Sequence, residues 1–498
     1  MNPVNLPAAL QRRLEGGLDP TVIFRELAEI PSVSFSEYLM YRHLSAQFTQ
    51  LRDDTPAGDK EKLSVKYSPT GQLQVAWHNR PGDQRKTILV AHVDHEGFLV
   101  REFDRPAGRA LCWYTAAETP EAHVVGRRVK LRCDDAEIAG AIASVRANTG
   151  TFDSEHPFDH DVEIRIDTVV PAKAPHIVSN DYFVGLGHYD LPACVERDGV
   201  IAARSVDDTA GVSVLVAVMA AAVRHRWNVN LECLFTTCEE AGFYGVVGEI
   251  LRGDAFDQGA GEVVCIVVDS SSHLAFMKNQ ELWGAMPAEE SAKSGPRDEI
   301  SLEEPVIRTG DAASRFDRDV ARLLRAAAAN LEGAVDRDWI PSRSTLGLSD
   351  SLRKPLEPRL RPRSTLRGKN RRRALIGRMV GGWCEATPLV LANALRRRTG
   401  RALSLKLRVG SMAIPIGCYR NSFKNELQPE KCHEDALRGA CQIVGEAVRL
   451  CHRWSFDDTD EHEGLPHNTE HLLDLLLEWQ ARFDGLSSVI RASTLKNA

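Results

Sequence analysis

The chain has 498 residues, more than one small domain needs and enough for two or three. Hydrophobic residues make up 43% and charged residues 26%, an ordinary globular balance, and a net charge of −7 excludes a generally basic, nucleic-acid-binding surface. No apolar run reaches the roughly 20 residues of a membrane helix. The opening MNPVNLPAALQRRLEGG lacks the apolar core of an export signal. Eleven scattered cysteines without a C-x-x-C pair then point to reduced thiols and a cytoplasmic protein with no membrane partner.

In chain order, residues 20–50 read as two helical runs, with Ser34 or Ser36 as the cap of the second. Strands follow at Thr70–Trp77 and at TILVAHVD, joined by the polar turn HNRPGDQRK. The second run continues as TILVAHVDHEGFLV (Thr87–Val100) and breaks at Gly97. Residues two apart on a strand share a face, so His92 and Asp94 reach the strand end on one side. A metal-ligating His with an orienting carboxylate has that geometry. Alone, a His-x-Asp of this kind is more often a structural pair.

From Arg101 to Val200 short β-type runs alternate with turns every eight to twelve residues, which predicts a small β-barrel or sandwich inserted into an α/β domain. The α/β texture then returns. SVDDTAG sets Asp207 and Asp208 ahead of an apolar helix, roughly Gly211–His225; ECLFTTCEEAGFYG carries a strand into Glu239 and Glu240; EVVCIVVDSSS carries another into Asp269. Further on, a helix is expected over Ala312–Leu331, a basic loop over 341–373, a helix starting near Pro429, and an amphipathic helix over Leu465–Phe483. His433 would lie inside the helix that starts at Pro429. The expected division is a catalytic α/β domain over 1–100 and 201–498, interrupted by a barrel over 101–200.

His92, Asp207, Glu239, Glu240 and Asp269 form a set that packing explains poorly. Carboxylates at the ends of buried strands repel one another and lose solvation. Bound divalent cations neutralise them economically, and two metals about 3.5–4 Å apart can clamp and activate a hydroxide. Successive glutamates diverge, so one can ligate while the other serves as general base.

Together these stretches resemble the glutamyl aminopeptidase, or tetrahedral aminopeptidase, family of dinuclear metallopeptidases, which includes proteins once described as endoglucanase M. AHVDHEGFLV is similar to that family's His-x-Asp-Glu-x-Gly-Phe, SVDDTAG to its Asp-Asp-Arg-x-Gly, and TTCEEAGFYG to its Glu-Glu-x-Gly. The likeness extends over most of residues 20–450. It implies a mixed sheet flanked by helices with an inserted β-barrel dimerisation domain. It also implies His92 and Asp269 on one metal, Asp207 bridging, Glu240 on a second, Glu239 as base and Asp94 orienting His92. One or two divalent metals (Zn, Co or Mn), a peptide or small amide substrate and a homo-oligomer follow from the same resemblance.

The departures concern the second metal. The family's last ligand is a His in a Tyr-x-His-Ser stretch; here IPIGCYRNSF places Asn421 there, a weaker neutral donor. The family's Asp-Asp-Arg becomes Asp207-Asp208-Thr209, and a Gly-Thr-Asp-Ala stretch becomes WCEA, with Glu385 in the acidic position. Position 95, usually Glu, is His95, read as a displaced surface residue in preference to a further zinc ligand. The expected function is a metal-dependent aminopeptidase or related amide hydrolase. The alternative is an impaired or non-catalytic relative that keeps one metal site for binding or assembly.

Overall fold

The longest apolar runs form the middle of the molecule, as strands do when both faces are covered. The computed structural model describes residues 19–456 except 105, 116–124, 134–135, 148–159, 168–183, 253–254, 257–260, 274–275, 279–299, 312–313, 332–373, 380–382, 399–405 and 424–425. A nine-stranded mixed sheet contains, in spatial order, β1 (Leu63–Tyr67), β2 (Leu73–His78), β12 (Asn230–Thr236), β3 (Arg85–His92), β13 (Glu262–Ser272), β17 (Lys406–Ile416), β15 (Val306–Arg308), β16 (Leu375–Met379) and β14 (Phe276–Lys278). The central four, β12, β3, β13 and β17, are parallel.

Alternation divides their side chains between two cores. Leu89, Ala91, Val264, Ile266, Val268, Met412 and Ile414 face one layer of helices. That layer holds α1 (Pro20–Ala28), α3 (Thr209–Arg224), α5 (Arg318–Leu331) and α7 (Glu434–Cys451). Ile88, Val90, Val263, Cys265, Val267, Leu407 and Val409 face the other, made by α4 (Tyr244–Arg252) and α6 (Ala386–Arg398). Helix α3 is apolar nearly all round, and every residue from Thr209 to Val223 is buried. Among the described residues no helix is long and apolar enough to cross a membrane. The remaining helix, α2 (Tyr38–Asp54), packs Tyr41, Leu44 and Phe48 into the first core.

Just past β3 the chain leaves the sheet for a closed six-stranded barrel, in the order β4 (Phe98–Asp104), β5 (Arg109–Tyr114), β8 (His160–Ile166), β7 (Ala136–Ala147), β6 (Arg128–Cys133) and β9 (Gly185–Tyr189). It encloses a core of its own, including Phe98, Cys112, Leu131, Ile142 and Ile164. The chain re-enters through β10 (Val195–Arg197) and β11 (Val200–Ala203), which join β20 (Glu430–His433) in a small sheet; β18 (Ser422–Phe423) and β19 (Glu426–Leu427) form a hairpin.

Three local expectations are corrected. Pro429 does not open a helix: Glu430 and Cys432 are buried in strand alternation against β11, and α7 starts at Glu434. His433 is therefore its cap, with Nδ1 accepting the Asp435 N–H at 3.2 Å. Neither Ser34 nor Ser36 caps α2; Glu37 holds that position, and Ser34 donates to Asp94 instead. Helix α5 begins at Arg318 rather than Ala312, where the Asp317 carboxylate accepts the N–H groups of Asp319 and Val320. The stretches 341–373 and Leu465–Phe483 lie outside the described residues.

The passage from sheet to barrel depends on Gly97. A Cβ there would lie 2.6 Å from the Gly187 carbonyl oxygen on β9 and would also strike Val33. Gly97→Ala should therefore lower stability by about 1–3 kcal/mol, as overpacking does. A denaturant titration reads this directly, and an unchanged midpoint would count against so close an approach.

Candidate active site

Parallel strands deliver the site. Thr236 of β12 lies opposite His92 of β3, and Val90 pairs with Val267, so Asp269, two residues further along β13, comes level with His92. The loop after β11 adds Asp207 and Asp208, whose peptide bond is cis, and the turn after β12 adds Glu239 and Glu240. The carboxyl ends of such strands are where α/β sheets place their chemistry.

Carboxylates converge on the His92 ring. Its Nε2 lies 3.3 Å from Asp207 Oδ1, 3.8 Å from Asp269 Oδ1 and 3.9 Å from Glu239 Oε2. Its Nδ1 faces the Asp94 carbonyl oxygen at 3.0 Å and Asp94 Oδ1 at 3.5 Å. Burial alone would push the His92 pKa down, but the Glu239 charge and the contacts to Asp207, Asp269 and Asp94 hold it well above the usual value. Burial pushes the Glu239 carboxyl well up, and the charges of Glu240, Asp269 and Asp207 add to it. Glu240 is pushed up by burial and then by Asp207, and Asp208 by burial, Asp269 and Asp207. Within this set Glu239 is the accessible one, its side chain 13% exposed against 3% for Glu240.

Among the described residues, the His, Cys, Asp and Glu side chains that offer donor atoms all within 4.8 Å of one another are His92, Asp208 and Asp269. This donor set, one imidazole and two carboxylates, fits a divalent metal. Asp208 uses Oδ1 to accept the Gly211 N–H, capping α3, and the Ser270 hydroxyl; its Oδ2 and Asp207 Oδ1 have no hydrogen-bond partner. Both aspartates are thus presented to this half of the site.

Asp94 does more than face His92. Its carboxylate accepts the Ser34 hydroxyl at 2.7 Å and the N–H groups of Glu239 and Glu240 at 3.0 and 3.2 Å. These bonds, with the contact to His92, outweigh burial and lower its pKa. Glu37 supports the same turn from behind, accepting the N–H and thiol of Cys238, a residue in the left-handed region (φ 54°). Burial and the Asp94 charge push Glu37 up to about 8. Glu430 ties two loops together: Oε2 accepts the N–H groups of Val206 and Asp207, and Oε1 that of Arg420. Arg308, fully buried, places Nη1 2.9 Å from Asp269 Oδ2. Glu385 bonds Thr236, and burial raises its pKa to about 7.

Glu37, Arg308 and Glu430 were invisible in the motifs. For Glu37 the available signal was a charged residue just ahead of a helix, whereas Arg308 and Glu430 stand in strands of three and four residues that show no readable period.

The half of the site near Glu240 is different. His95 is not a surface residue: it is 6% exposed, with Nδ1 2.7 Å from the Asp207 carbonyl oxygen and 3.9 Å from Glu240 Oε1. Burial lowers its pKa to about 4, so the ring is neutral. Asn421 sends its amide Nδ2 to His95 Nε2 at 3.0 Å and to the Arg204 carbonyl oxygen at 2.8 Å. Arg420 Nη2 stands 3.8 Å from Glu240 Oε2.

A mixed sheet with these strand ends and an interrupting barrel defines the class as a metallopeptidase-type α/β fold. The TET1 peptidase of Pyrococcus horikoshii superposes with a TM-score of 0.54 at 16% identity, covering 86% of this chain and 98% of that one. An aminopeptidase of the archaeon Desulfurococcus kamchatkensis gives 0.53 at 13%, over 86% and 93%. A TET aminopeptidase from a marine sediment Thaumarchaeota archaeon gives 0.52 at 14%, over 91% and 98%. No curated protein matches by sequence. Residues 74–256 match the family model of the M42 glutamyl aminopeptidases. The matched stretch contains His92, Asp94, Asp207, Glu239 and Glu240, while Asp269 and Asn421 lie beyond it.

Asp94→Asn replaces one accepting oxygen by an NH₂ donor that faces the Ser34, Glu239 or Glu240 donors, and loosens His92. Metal affinity should fall about 10–100-fold, the usual cost of losing a ligand's orienting partner. Equilibrium dialysis would show this, and unchanged affinity would mean that Asp94 does not organise the site.

Proposed function

We propose that the protein is a metal-dependent aminopeptidase or a related amide hydrolase, with Glu239 as its general base. The observation that carries this reading is the convergence of Asp207, Glu239 and Asp269 on His92 within 4 Å, with Glu239 alone of the set partly open to solvent. His92, Asp269 and the Asp207–Asp208 pair would hold a divalent cation (Zn, Co or Mn), which would supply Lewis acidity toward an amide carbonyl and acidify water. Glu239 accepts a proton from the attacking water and returns it to the nitrogen of the leaving amine. Asp94 keeps His92 and the Glu239 backbone in fixed relation throughout. The resemblance assigns Glu240 and Asn421 to a second metal. The match of residues 74–256 to the M42 glutamyl aminopeptidases supports the substrate class, a peptide N-terminus or small amide.

A homo-oligomer belongs to the same reading. It is supported by the Pyrococcus horikoshii TET1 peptidase, which can assemble into a tetrahedron or a large octahedral shell. The second reading, a one-metal protein with a binding or assembly role, is favoured by one observation, the engagement of the Asn421 amide with His95 and Arg204.

Two measurements test the enzyme reading. Turnover of aminoacyl amides should vanish on dialysis against a chelator and return with Zn, Co or Mn. Glu239→Gln should lower kcat about 10²–10⁴-fold while leaving bound metal unchanged. Undiminished turnover in that variant would remove Glu239 as the base.

A further inference from the structure

Around Glu240, His95 and the amide nitrogen of Asn421 bind each other, while Asn421 Oδ1 has no hydrogen-bond partner. The Asp207 carbonyl oxygen can only accept, so His95 Nδ1 carries the ring proton and Nε2 is a lone pair. That lone pair takes an N–H from Asn421 Nδ2, and the same Nδ2 also donates to the Arg204 carbonyl oxygen. Two acceptors at one position fix the amide with its NH₂ there; the reverse orientation would set Oδ1 against both. Neither ring nitrogen of His95 is then available to a cation. Asn421 also lines a small cavity with Ser32, His188 and Ser205, a lining that includes neither Asp207 nor Glu240.

A cation is nonetheless present in this half. Arg420 places Nη2 3.8 Å from Glu240 Oε2, and its charge acts on both Glu240 and Asp207, the two carboxylates a second metal would join. The turn that carries it is costly. Cys418, Arg420 and Asn421 all adopt left-handed backbone, with φ of 57, 55 and 55°. For non-glycine residues each such conformation costs on the order of 1 kcal/mol. Glu430 stabilises the turn by accepting the Arg420 N–H at 3.0 Å, and the Gly417–Lys431 bridge closes its start.

We infer that Arg420 is a built-in cation beside Glu240, in the half of the site where a second metal would sit, so that this chain holds a single metal, on the His92–Asp269 side. The inference rests on the metal-dependent reading above and alters its stoichiometry. Fixed positive charge partly neutralises Glu240 and Asp207 without a ligand field, which accounts for the absence of a histidine at position 421.

Metal-free protein titrated with Co²⁺, followed by its visible absorption and by elemental analysis after equilibrium dialysis, should saturate at one equivalent per chain. Arg420→Met combined with Asn421→His should open a second equivalent, while Arg420→Lys, which keeps the charge, should stay at one. Two equivalents of similar affinity in the unaltered protein would overturn the inference, as would none. So would a double variant that stays at one with an unchanged melting midpoint. One bound metal without turnover on any amide would instead overturn the hydrolase reading and leave this inference standing.

Discussion

The interaction on which the rest of the site depends is the repulsion among carboxylates collected where parallel strands end. At an effective dielectric near 20, two like charges about 4 Å apart cost roughly 4 kcal/mol. A few such pairs would rival the entire stability of a typical domain, about 5–15 kcal/mol. His92, Arg308 and Arg420 offset part of that repulsion, and burial pushes Asp208, Glu239 and Glu240 toward their protonated forms. A divalent ion on the His92 side, as proposed, would offset more of that repulsion and favour the ionised forms. The same reasoning explains the heavy packing beneath: strands apolar on both faces and a helix apolar all round hold the charges on a frame that cannot relax outward.

Backbone N–H groups, rather than side-chain cations, provide most of the local order. Asp94 gathers the Glu239–Glu240 turn, Glu37 gathers Cys238 just before it, and Glu430 joins the Asp207 loop to the Arg420 turn. Each buried carboxylate is thus a point where two or more distant segments of chain meet. The arrangement explains how loops contributed by four different parts of the sequence keep a common geometry. It also explains why the barrel can leave and re-enter between His92 and Asp207 without disturbing them.

Much of this was legible because it is written in local periodicity. Continuous apolar runs ending in His or acid announced β3, β12 and β13, and the change to short, turn-punctuated strands announced a barrel-like region. What stayed hidden depends on pairing across the fold. Nothing near Pro429 signals that Glu430 and Cys432 alternate against β11, because the strand partner lies more than two hundred residues earlier. His95 looked like a stray polar residue because its partners, Asp207 and Asn421, are remote in sequence. Arg308 stands in a three-residue strand too short to show a period.

The two arginines show why position, not charge alone, decides what a cation does here. Arg308 approaches Asp269 through Oδ2 and leaves Oδ1 facing His92 at 3.8 Å, so it orients that carboxylate and adds to the acceptor set on the His92 side. Arg420 reaches Glu240 from within the half-site itself, on the turn that also carries Asn421. One guanidinium therefore prepares a ligand and the other competes for one. The proposed asymmetric centre rests on that difference, with its metal on the His92 side and its fixed cation beside Glu240.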